Sequence, residues 1–123
     1  MAKPSLPQNV KFFSAILYKD LSFFEKAKSQ LQGMYESFDL ISDPYTFDMT
    51  DYYQEEMGSP LYRIICTHEK LFSPDYLVDM KITCNTIEDN FSINGKRTIN
   101  IDCGYIDHNK IVLASAKGAG QKI

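Results

Sequence analysis

The chain has 123 residues, a mass of 14.1 kDa, a net charge of -3 and a pI near 5.3, with 44% hydrophobic and 24% charged residues. That length suits one domain burying roughly two-thirds of its unfolded surface, and the composition excludes a disordered chain. The acidic balance leaves no positive field to attract a phosphate backbone or an anionic bilayer, so neither nucleic acid nor membrane is an expected partner.

Met1-Ala2-Lys3-Pro4 lacks the apolar stretch of a signal peptide and no apolar run approaches 18 residues, which makes the cytoplasm the expected compartment. Three widely spaced cysteines, Cys66, Cys84 and Cys103, form an odd set expected to stay as free thiols. Residues 1–9 carry Pro4 and Pro7 without periodicity and read as an extended lead-in. The run 10–18, VKFFSAILY, is apolar on both alternating faces, as in a central strand. Ser22 and Glu25 have capping-box spacing, and Phe24, Ala27, Leu31 and Met34 form a stripe that predicts a helix over 21–35. Residues 37–42 read as a short strand, bent or at an edge because Asp43-Pro44 interrupts it before Tyr45-Thr46-Phe47.

Thr50 is a cap candidate for a short helix that stops at Gly58-Ser59-Pro60, and Leu61 to Thr67 is rich in strand formers. Ser73-Pro74-Asp75 opens a second long helix with the stripe Leu77, Met80, Cys84, Ile87 and Phe91, ending near 90–95. Thr98 to Cys103 alternates buried and polar residues as a last core strand closed by Gly104, and Ile111 to Ala116 adds a further strand or short helix. The order β, α, β, β, α, β predicts an α+β fold: a ferredoxin-like split βαββαβ sandwich with two helices on one face of an antiparallel sheet. Residues 10–117 form the single expected domain, followed by a flexible tail over 118–123.

The stretch from Phe47 to Gly58 concentrates carboxylates and phenols. A four-residue step puts Asp51 with Glu55, and Tyr52 with Glu56, on shared helix faces. Such carboxylates suit Mg²⁺ or general-base work, and the tyrosines suit donation to a bound oxygen. The plainer account is a solvated short helix anchored by its tyrosines. A second cluster gathers Arg63, Asn100 and Asp102, with Arg97 and Tyr105 at the ends of the last core strand; its plainer account is an Arg to Asp ion pair on a half-solvated face. Lys81, Asn85 and Glu88 read as the polar flank of the second helix. Cys66 with His68, and Cys103 with His108, lack the repeated close ligand pair of a zinc site, and buried cysteines with exposed histidines are expected. No GxxxxGK[ST] phosphate loop occurs; Gly118-Ala119-Gly120-Gln121-Lys122 has glycines and a lysine but not that spacing.

Ile16-Leu17-Tyr18, Asp39-Leu40-Ile41-Ser42, Thr50-Asp51-Tyr52-Tyr53, Glu56-Met57-Gly58, Glu69-Lys70-Leu71, Lys81 with Asn85 and Glu88, and Asn100-Ile101-Asp102 with Gly104-Tyr105 together resemble a prokaryotic domain-of-unknown-function family. The likeness runs from about Val10 to Lys117, and TDYYxxEMG and NIDxGY are its most specific parts. The resemblance implies the label GTP-binding protein, which members often carry. It also implies a proline where this chain has Cys103 and a further β-hairpin after Lys117, so the copy looks shortened there. An uncovered sheet edge or apolar face would then invite a homo-oligomer. The residues themselves give Asp51, Tyr52, Glu56, Arg63, Asn100, Asp102 and Tyr105 as candidates for binding a small phosphorylated or nucleotide-type ligand, with or without catalysis. A non-catalytic interaction or oligomerisation module is the other expectation, with the same residues locking loop to sheet.

Overall fold

The computed structural model describes residues 8–47, 52–107 and 110–114. Nine elements follow in chain order: β1 (Lys11–Tyr18), α1 (Leu21–Tyr35), β2 (Phe38–Ile41), β3 (Tyr45–Thr46), α2 (Tyr52–Met57), β4 (Tyr62–His68), α3 (Tyr76–Asn90), β5 (Ile99–Ile106) and β6 (Ile111–Leu113). The fold is α+β, with one antiparallel sheet in the order β2-β4-β1-β5-β6, and β3 pairs β4 beside β2. Without β3 and β6, the order β2-β4-β1-β5 is that of a split βαββαβ unit: β4 lies between β1 and β2, and β1 between β4 and β5.

Strand alternation divides β1 into two faces. Phe12, Ser14, Ile16 and Tyr18 point to one side, in register with Cys66, Ile64 and Tyr62 of β4 and Tyr105, Cys103, Ile101 and Ile99 of β5. Both long helices cover that side, since Phe24, Ala27, Leu31 and Tyr35 of α1 and Leu77, Met80, Cys84 and Ile87 of α3 share one buried cluster with the strand residues. Asp20 caps α1, its carboxylate accepting from the Ser22 backbone N–H at 3.0 Å, so the expected Ser22 box moves back two residues. β2 is an edge strand with an irregularity between Phe38 and Leu40, as the nearby proline foretold.

Three expectations are corrected. Gly104 does not close β5, which runs on to Ile106: a Cβ there would clash with the Val112 carbonyl oxygen and meet the Phe13 ring at 2.9 Å, so glycine marks a close approach and not a break. His68 is fully buried under Phe38, with ring centroids 4.5 Å apart. Glu88 is no solvated flank; it is 7% exposed and accepts from the Ile101 backbone N–H at 2.7 Å, covering the edge of β5 that β6 leaves open. Asp51, the Thr50 cap, His108, the tail over 118–123 and most of the N-terminal lead-in lie outside the described residues.

Candidate functional site

The second face of the sheet carries the candidate site. Its central residue is Leu17, flanked in register by Arg63 of β4 and Asn100 of β5. Leu17 is fully buried with Met57 and Leu61, and Phe47 and Tyr53 pack on the same cluster, so α2 is held against one end of this face by apolar contacts. That docking brings the acidic, tyrosine-bearing segment to the polar edge of β5.

A tight turn completes the arrangement. Asn94 and Gly95 have φ of 54° and 77°, and Ile93 and Lys96 exchange backbone hydrogen bonds of 2.9 and 3.0 Å across them. Positive φ at both central positions suits Asn-Gly. The turn delivers Arg97 to the start of β5, where its backbone N–H donates to Glu56 at 2.7 Å, its Nε at 3.1 Å and its Nη2 at 2.9 Å. Arg97 Nη1 donates to Asn100 at 2.7 Å and stands 3.8 Å from Glu88. Asn100 donates onward to Asp102 at 3.4 Å, and Asp102 lies 3.7 Å from Arg63, whose guanidinium sits 4.3 Å over the Phe47 ring.

The chain Glu56–Arg97–Asn100–Asp102–Arg63 thus joins α2, β4 and β5 in one network. Donation from Arg97 holds the Glu56 carboxyl below its ordinary range, and the same bonds raise Arg97. Burial raises Glu88, opposed by the Ile101 N–H and then by Arg97. Burial, and then Asp102, raises the Tyr53 phenol. Glu56, engaged by Arg97 and held below its ordinary range, is a poor proton acceptor.

Of the sequence candidates, Glu56, Arg63, Asn100 and Asp102 come together here. Tyr52 is 63% exposed, its ring 5.0 Å from Tyr53 on the outer side of α2. Tyr105 does not join them; it sits in register with Phe12 on the helix-covered face, ring centroids 5.7 Å apart, and lines a different cleft of about 540 Å³ with Lys11, Leu71 and Lys110. Among the described residues no group of three or more His, Cys, Asp or Glu is placed to hold a metal ion, and no helix is long and apolar enough to cross a membrane.

Beside the network lies a cleft of about 220 Å³ lined by Lys19, Phe23, Glu56, Met57, Lys96 and Arg97, with Asp20, Ile93 and Thr98. Its two acids are engaged: Asp20 caps α1 and Glu56 holds Arg97. Neither lysine forms an ion pair with a described residue. Sequence reasoning missed both lysines and the central place of Arg97; the Asn94-Gly95 dipeptide was the available signal, since a tight turn there fixes where Lys96 and Arg97 point.

The sequence over residues 8–123 matches the family model described as Domain of unknown function (DUF4416). No curated protein and no solved structure matches the chain.

Proposed function

We propose, for a chain that belongs to the DUF4416 family, that it binds a small phosphorylated or nucleotide-type ligand in the cleft between Lys19, Lys96 and Arg97. The observation carrying the reading is the charge inventory of that cleft: its carboxylates are engaged within the protein, and its two ammonium groups form no ion pair with a described residue. A phosphoryl group would accept from Lys19 and Lys96 and share the outer edge of the Arg97 fork, while Phe23, Met57 and Ile93 give the rest of the ligand apolar contact. Binding without turnover is the form supported, because Glu56 is held ionised and engaged by Arg97 and so lacks the free basicity a general base needs. A cytoplasmic setting and a ferredoxin-like name for the fold belong to the same proposal, supported by three unpaired buried cysteines and by the strand order.

Thermal unfolding against inorganic phosphate, pyrophosphate, GMP and GTP, each with and without Mg²⁺, tests it. A ligand at a hundred times its Kd adds about 2.7 kcal/mol to the native state, and Lys19→Ala with Lys96→Ala should abolish that shift. A flat response across the panel, or a shift that survives both substitutions, would count against the cleft. The alternative, a non-catalytic interaction module, is favoured by one separate observation: the charged groups of the network Glu56–Arg97–Asn100–Asp102–Arg63 pair with one another within the chain, Glu56 with Arg97 and Asp102 with Arg63.

A further inference from the structure

Among the described residues the sheet's second face is covered only in part. α2 and Phe47 shield Leu17 at one end, but beyond it Phe13 and Ile65 are half-buried, and Leu40, Ile106, Ile111 and Leu113 are 56%, 40%, 69% and 48% exposed. Register places all six on this one face: Phe13 lies opposite Thr67 and Gly104, Leu40 opposite Thr67, Ile65 opposite Ala15, Ile106 opposite Lys11 and Ile111, and Leu113 opposite Gly104. Apolar residues on β2, β4, β1, β5 and β6 that share one face make a surface of the kind that marks an interface, with Thr67 and Lys11 set among them.

We propose that this face packs against the same face of a second copy of the chain. The charges on it favour that occupant over a charged one. Register places Lys11, Arg63 and Asp102 there, and Asp39 joins them through its 2.5 Å bond from Thr67. Each of the four is half of an internal ion pair, Lys11 with Asp39 and Arg63 with Asp102. Among the described residues a strongly charged partner finds no free countercharge on this ground, whereas a second copy brings an equally neutral, equally apolar surface, and a two-fold axis makes one patch serve both sides. The same neutrality removes the like-charge repulsion that ordinarily opposes self-association of a net-acidic chain. This inference is independent of the cleft reading, which concerns the Lys19 end of the molecule.

Sedimentation of the full chain between about 1 and about 100 µM tests it, a range that spans ordinary dimer affinities. The wild type should approach twice 14.1 kDa. Ile106→Lys with Leu113→Lys should return it to the monomer mass, while Val78→Lys with Ile82→Lys, on the exposed side of α3, should leave the dimer intact. Circular dichroism reports whether each variant is folded; should the first pair unfold, Ile111→Lys alone, at the most exposed of the six positions, carries the test. A wild type that is monomeric throughout, or a dimer that the α3 substitutions disrupt and the β5 and β6 substitutions spare, overturns the proposal.

Discussion

Burial tunes several single residues in this protein by what it denies them. His68 is fully buried, its Nδ1 donates to the Glu36 carbonyl at 3.0 Å, and its Nε2 has no hydrogen-bond partner among the described residues. A protonated ring would add a second N–H with no acceptor, so burial lowers its pKa below the ordinary 6.5. As pH falls, the unfolded chain therefore takes up a proton at this position before the folded chain does, and stability is present above pH 6.5 and drains away below it. Urea unfolding at about pH 7.5 and about pH 5.5 should show the wild type losing up to about 1.4 kcal/mol per pH unit more than His68→Gln. Equal slopes for the two proteins would mean the ring takes its proton as readily inside the fold as outside. Burial likewise pushes the Cys66 thiol up to about 12.

The elements divide into those whose periodicity speaks plainly and those decided by contacts distant in sequence. The α1 boundaries were legible because Phe24, Ala27 and Leu31 recur at helical steps and bury together, and β1 because both of its faces are apolar. β5 was read too short, since Gly104 looks like a stop when its neighbours are unknown and becomes an element interior once Phe13 and β6 close over it. Gly104→Ala should accordingly cost about 2 to 3 kcal/mol, because the new methyl meets backbone at Val112 as well as the Phe13 ring, and backbone cannot rotate away. Denaturation measures the loss, and amide exchange should place it at the β5–β6 pairing; a change under about 0.5 kcal/mol would show that β6 yields freely. The parity of β5 carried one further lesson, for Tyr105 is an odd step from Asp102 and so belongs to the other face. Glu88 escaped sequence reading for a different reason: a charged residue beside an apolar stripe looks solvated until the strand edge it covers is known.

At the scale of the whole molecule, Arg97 links the two layers. It holds Glu56 of α2 on the second face of the sheet and stands 3.8 Å from Glu88 of α3 in the helix layer, a convergence no local pattern announces because the three residues are 41 and 9 apart in sequence. Sequence reading found Glu56, Asn100 and Asp102 as members of one neighbourhood and paired Arg63 with Asp102, but left the joining cation at the margin. Removing that cation with Arg97→Met strands a buried carboxylate at Glu88 and an unpaired one at Glu56, and about 2 to 3 kcal/mol of stability should be lost near pH 8, less than for a fully buried pair because both Arg97 and Glu56 are partly exposed. The loss should shrink on acidification, and both carboxylates act in that direction. Glu88 has a folded pKa raised above 4.5, so its charged form weighs against the fold as pH rises, and more so without Arg97. Glu56 has a folded pKa lowered below 4.5 by Arg97, so the stability that pair contributes is present above 4.5 and disappears as pH falls through the lowered value. Denaturation of wild type and variant from about pH 8 down to about pH 4 should therefore trace converging curves; parallel curves would show that Arg97 contributes packing alone, and that the two layers are joined by apolar contact without an electrostatic tie.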